Sequence, residues 1–65
     1  MGPQEAIRAF EEGVPVIYND IVYLKINALI YRKENGKITA HTELMDKNKR
    51  SVVVVPVRMV KRGKL

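Results

Sequence analysis

His41 is the single imidazole and Ser51 the single serine of this 65-residue chain, and there is no cysteine. Nucleophilic catalysis needs a hydroxyl and a base within hydrogen-bond reach, with a third group orienting the base. His41 and Ser51 fall in different strand patterns with no motif linking them. A zinc centre would have to fill every position beyond one His with carboxylates, a poor ligand set for a structural site. Asp20, Glu34, Glu43 and Asp46 lack the spacing of a calcium loop. Gly13, Gly36 and Gly63 stand alone at turns, so no glycine-rich loop cradles a phosphate. The residues predict a protein that is not an enzyme and takes no cofactor or metal.

Binding chemistry is better represented. Twelve Lys and Arg against seven Asp and Glu leave a formal charge of +5. An excess of that size on a short chain favours anionic partners, because phosphate contacts release counterions. Ten of the cations form three groups: Arg32, Lys33 and Lys37; Lys47, Lys49 and Arg50; Arg58, Lys61, Arg62 and Lys64. Alternating positions of one strand pattern add Tyr23, Lys25, Asn27, Leu29, Tyr31 and Lys33, with Thr39, His41, Glu43 and Met45 across from them. Tyrosines interleaved with lysines on a sheet can stack bases and hold phosphates. The nucleic-acid-binding residues expected are Tyr23, Lys25, Tyr31, Lys33, Lys47, Lys49, Arg50, Lys61 and Arg62. The same face carries Leu29 and Met45, which water would not favour. Tyr23, Leu29, Tyr31 and Met45 therefore make an alternative protein-binding patch.

These side chains need elements to position them. Pro3 to Glu12 has the pattern of a short helix, with proline at its first position, Glu5 in its first turn and Gly13 as its stop. Its length is below that of a stable isolated helix, so Ile7 and Phe10 are expected to be largely buried against the sheet. From Val14 to Val60 the pattern is β. A short strand, Val14 to Tyr18, turns at Asn19-Asp20 into a long one, Ile21 to Lys33. Val22, Leu24, Ile26, Ala28 and Ile30 would form the long strand's apolar face. Lys37 to Asp46 is a third strand. Arg50 to Val55 is a fourth, apolar at successive positions and expected to be covered on both faces. Pro56 ends it, and a turn followed by a brief fifth strand occupies Val57 to Val60. Residues 61–65 read as a frayed basic tail.

The turn at Asn35-Gly36 admits two registers. A two-residue loop would place Ile30 opposite His41 and Ala28 opposite Glu43, mixing polar and apolar faces. A three-residue loop, Glu34-Asn35-Gly36, would place Ile30 opposite Ala40, Leu29 opposite His41, Ala28 opposite Thr42 and Ile26 opposite Leu44. The second lets the apolar faces coincide, and it is the expected register.

One helix followed by a five-stranded antiparallel meander predicts a mainly β domain spanning residues 1–65, a small barrel or strongly bent sheet. This order resembles Sm-like small barrels, including the bacterial Hfq type. The features that carry it are Ala6 to Phe10, the Tyr18-Asn19-Asp20-Ile21 turn and the strand-turn-strand across Val52 to Val60. The resemblance implies an N-terminal helix before five bent strands. The family's RNA-binding motif is absent, with no matching histidine in the last strand pair, so its binding residues do not transfer.

The longest purely apolar run is Val52 to Val55, far short of a membrane span. The N-terminus lacks the basic start and apolar block of a secretory signal. The expectation is a cytoplasmic, non-enzymatic binding module that contacts DNA or RNA through basic loops and the tyrosine-bearing face. Two alternatives stand beside it. One is a protein-binding regulator or inhibitor of bacterial or phage type; the other is a homo-oligomer that uses the same face for self-association, as small unstapled domains often do.

Overall fold

The computed structural model describes residues 1–63, and the Lys64 of the third basic group lies outside them. The elements run α1 (Pro3–Glu12), β1 (Val16–Tyr18), β2 (Ile21–Tyr23), β3 (Lys25–Glu34), β4 (Lys37–Met45), β5 (Val52–Pro56), a 3₁₀ turn (Val57–Met59) and β6 (Lys61–Arg62). They build two antiparallel three-stranded sheets, ordered β2-β1-β6 and β3-β4-β5. The mainly β class and the leading helix agree with the sequence. Among the described residues there are six strands rather than five, because the long strand divides at Leu24. That residue's N–H bonds the Met45 carbonyl at 2.8 Å, so the chain turns the corner from one sheet into the next without losing its ladder. No ladder joins β5 to β6 among the described residues, so the two sheets do not close into a barrel.

The C-terminal segment also differs from expectation. The 3₁₀ turn takes up Val57–Met59, and the brief last strand forms two residues later at Lys61–Arg62, where it pairs with β1. Residues 61 and 62 are therefore a strand and not frayed. Gly63 is needed here for close approach: its N–H bonds the Pro15 carbonyl at 2.9 Å, and an added Cβ would sit 2.9 Å from that oxygen.

Both tight turns use left-handed backbone. Asn19 and Asp20 have φ of 52° and 62°, as the sequence suggests. Asn35 and Gly36 have φ of 49° and 77°, and Lys33 pairs with Ile38 and Glu34 with Lys37. The hairpin is thus the two-residue form, and the three-residue loop is wrong. Ile30 lies opposite His41, Leu29 opposite Thr42 and Ala28 opposite Glu43; only Ile26 opposite Leu44 survives from the expected register.

A β-bulge reconciles the two ends. The register shifts between Ile26 and Ala28, leaving Asn27 as the extra residue, with its side-chain amide donating to Glu43 Oε2 at 2.6 Å. One inserted residue moves every later side chain to the other face. Tyr23, Ile26 and Leu29 consequently all reach the core side, three residues apart, across one corner and one bulge. The expected apolar face is corrected accordingly, since Val22 turns outward with Ile17 and Ala28 and Ile30 share the face of His41. Alanine at Gly36 meets no steric neighbour but must hold positive φ. Gly36→Ala is expected to lower stability by about 1 kcal/mol in denaturant titration.

The core consists of Ala9, Val16, Ile26, Leu44, Val55 and Val60, with Thr42 buried among the strands and donating to the Val55 carbonyl at 3.3 Å. The helix turns Ala6 and Ala9 inward, while Ile7 and Phe10 remain 38% and 39% exposed, contrary to expectation. At 3.6 residues per turn, Phe10 lies about 70° and Ile7 about 130° from the middle of the alanine face. Alanines let the helix backbone approach the sheet closely, and the larger side chains are left on its flanks. A half-exposed ring carries a reduced burial term, so Phe10→Ala is expected to cost about 1–2 kcal/mol, below the ~3–5 kcal/mol of a core phenylalanine. Equilibrium unfolding measures the difference.

The four valines of β5 are also not covered on both faces. Strand β5 is the edge of its sheet, and Val52 and Val54 are 48% and 41% exposed while Val55 is buried. No helix among the described residues is long and apolar enough to cross a membrane.

Candidate nucleic-acid interface

Strands β3 and β4 outrun their neighbour. Pairing with β5 stops at His41 opposite Pro56, so the first four residues of β4, 37–40, pair with β3 alone as a two-stranded ribbon. Every residue from Tyr31 to Ile38 is exposed, with Tyr31 at 57% and Ile38 at 74%. The principal extents of 37, 22 and 20 Å reflect this elongation. Directly paired residues point to the same side of an antiparallel ladder. Tyr31, Lys33, Ile38 and Ala40 therefore share one side, and Arg32, Glu34, Lys37 and Thr39 share the other. Cations occupy both sides. None of Arg32, Lys33 and Lys37 forms an ion pair among the described residues. The ribbon is held by its ladder, by the left-handed turn, and by the Thr39 hydroxyl donating to the Arg32 carbonyl at 3.4 Å.

The remaining expected site residues are dispersed. Tyr23 and Leu29 pack against the core from its periphery, so neither offers a free ring or side chain beside Tyr31. Lys25 is exposed opposite Met45, which in turn lies opposite Val52, on the outward face at the far end of β4. The protein-binding quartet of Tyr23, Leu29, Tyr31 and Met45 thus does not form one surface. Two irregularities separate its members: the corner at Leu24 and the bulge at Asn27.

Lys47, Lys49 and Arg50 belong to the β4–β5 turn. Lys49 has φ of 61° and its N–H bonds the Asp46 carbonyl at 2.9 Å, while the Arg50 N–H donates to Asn48 Oδ1 at 2.8 Å. Nine strand residues at ~3.3 Å each put this turn about 30 Å from the ribbon tip. The two cation groups are separate features. Lys61 and Arg62 lie on a third edge, and the Arg62 guanidinium is bound to Glu12 at 2.7 Å. Arg32 and Lys37 join Tyr31 and Lys33 only through the two-residue hairpin register, in place of the three-residue loop expected from the sequence.

The residues with catalytic potential are far apart. Ser51 donates to Asp46 Oδ2 at 3.3 Å, and Asp46 follows the end of β4. His41 precedes Asp46 by five residues of extended chain, about 17 Å. Among the described residues, no group of three His, Cys, Asp or Glu side chains is placed to hold a metal ion. No family model matches the chain, and comparison with curated proteins and with solved structures finds no match.

Proposed function

We propose that this chain is a non-enzymatic nucleic-acid-binding module that inserts its basic β-ribbon into the major groove of duplex DNA. The observation that carries this reading is the continuous exposure from Tyr31 to Ile38 around three cations without ion-pair partners among the described residues. A B-form major groove admits a two-stranded ribbon, whereas the A-form major groove is too narrow. Arg32 and Lys37 on one side of the ribbon and Lys33 on the other would meet the two phosphate walls. Tyr31 would lie beside Lys33 against the backbone or a base edge. Lys47, Lys49 and Arg50, about 30 Å away, would engage more distant phosphates of a long site. An Sm-like topology and a cytoplasmic location belong to the same proposal. The helix-first order, the long bent strand and the pairing of the first strand with the last support the former.

Fluorescence anisotropy with labelled duplex DNA, duplex RNA and single strands of one sequence tests the reading. Tightest binding to duplex DNA, weakening steeply with salt, is expected. Equal affinity for all, or none at low salt, refutes it.

A second reading, self-association or capture of a protein regulator's target through β5, rests on a specific observation. Val52 and Val54 are exposed along an edge strand whose outer side is unpaired among the described residues. Such edges template pairing with another chain. Sedimentation equilibrium separates monomer from oligomer.

A further inference from the structure

Where β5 stops, β4 is left with an open edge, and a cleft of about 400 Å³ lies against it. A two-residue hairpin closes on a hydrogen-bonded pair, here Glu34 and Lys37, and bonded and non-bonded pairs alternate from there. Lys37, Thr39 and His41 therefore direct their backbone groups toward β3. Ile38, Ala40 and Thr42 direct theirs to the opposite side. Thr42 meets β5 at Val55, but Ile38 and Ala40 have no strand beside them among the described residues. Pro56 stands opposite His41, at a non-bonded position where its missing N–H costs nothing, and it leads the chain away into the 3₁₀ turn.

The cleft is lined by Met1, Pro3, Ala40, Pro56 and Val57, which are apolar, together with Thr39, His41, Glu34 and Arg58. His41 Nδ1 is buried with no hydrogen-bond partner among the described residues. A buried polar atom without a partner is uncommon in native structures and calls for one. Lys37, at the start of the open edge, and Arg58, on the cleft wall, are both exposed cations. Glu34, opposite Lys37, is the one acid on the lining.

From these features we propose that the open edge of β4 and the adjoining cleft form a strand-addition site for an extended peptide that alternates apolar and acidic side chains. Its backbone pairs with Ile38 and Ala40, the bonding mode of β-augmentation. Alternate side chains of a strand point to opposite sides, so the apolar set lies on the side of Ile38 and Ala40 while the acidic set lies at the charged rim, on the side of Lys37 and His41. Lys37 and Arg58 select acidic residues for the rim. His41 Nδ1 gains a peptide polar group as its partner. This site shares Lys37 with the DNA-binding reading but does not rest on it, since that reading uses the ribbon's exposed side chains and this one its backbone edge.

The test uses the ¹⁵N-labelled protein and the blocked hexapeptide Ac-Glu-Val-Glu-Val-Glu-Val-NH₂, followed by nuclear magnetic resonance. Saturable shifts of the Ile38 and Ala40 amides, slowed exchange of both, and a shift of the His41 ring nitrogens are expected. Two further peptides carry N-methyl groups on the valines or on the glutamates. Because a strand bonds through alternate residues, one of them binds like the parent and the other at least about tenfold more weakly. A lysine-for-glutamate peptide also binds at least about tenfold more weakly. Absence of shifts at millimolar peptide, shifts confined to other residues, or equal binding by all four peptides overturns the proposal. Shifts at Ile38 and Ala40 that grow with protein concentration alone assign the edge to a second copy and overturn it too. DNA binding measured on the same sample reports separately on the ribbon.

Discussion

Leu44→Ala is expected to remove about 2–5 kcal/mol of stability, the usual cost of truncating a fully enclosed leucine. Leu44 is 0% exposed, lies opposite Ile26 on β3 and Val53 on β5, and shares a core with Ala9, Val16, Val55 and Val60. The helix and both sheets contribute to that core, so no single neighbour can move to refill the space. A domain of this size has roughly 3–10 kcal/mol in total. The variant therefore loses from about a fifth to all of that stability, and its melting transition falls by many degrees. Urea titration followed by far-ultraviolet circular dichroism gives the loss directly. The internal control is Ile38→Ala on the same strand. Ile38 projects from the ribbon at 74% exposure, and its truncation should change stability by no more than about 0.5 kcal/mol. Both residues share one face of β4, so equal losses at the two positions would mean that the core extends along that face into the ribbon.

Charge reversal of Arg32, Lys33 and Lys37 to glutamate is expected to abolish measurable binding to duplex DNA at moderate salt. Three phosphate contacts contribute a salt slope of about −2.7, so raising salt fourfold weakens the wild-type contribution by roughly 40-fold. The milder Arg32→Ala, Lys33→Ala, Lys37→Ala variant should lose that part of the slope and bind all sequences more weakly alike, since phosphate contacts position without specifying. All three side chains are exposed and outside the core, so the melting temperature should stay within a few degrees of wild type. The comparison set is Lys47→Ala, Lys49→Ala, Arg50→Ala, at the other end of β4. If the ribbon leads, this second set has the smaller effect. An unchanged slope in the ribbon variant, or a larger loss from the turn variant, would transfer the interface away from the ribbon.

Much of the fold was legible locally. Pro3 and Gly13 bound the helix because each solves a backbone problem at a helix end, and the Gly13 N–H bonds back to the Ala9 and Phe10 carbonyls. Asn19-Asp20 and Asn35-Gly36 announce turns because these residues tolerate positive φ. Pro56 ends a strand because it cannot donate to the ladder. Absent cysteine and a solitary imidazole narrow the chemistry before any coordinates are known.

The face of each strand was another matter. Periodicity in a strand assumes that alternation is never interrupted, and here it is interrupted at Leu24 and again at Asn27. The two-residue turn was rejected on sequence because it mixed faces over a regular strand; a single bulged residue makes it compatible with Ile26 opposite Leu44. The helix was misread similarly. Its large side chains looked like the buried ones, yet close packing against β3 selected Ala6 and Ala9. Composition and turn residues determined the class of this protein, the order of its elements and its basic character, because those depend on each residue's own backbone and charge. Tertiary structure alone decided which side chains face the core, that Tyr31 parts company with Tyr23, and that β4 outruns β5 to leave a basic ribbon and an open edge. Those outcomes depend on where one extra residue is accommodated between strands distant in the chain, an energy that no local window contains.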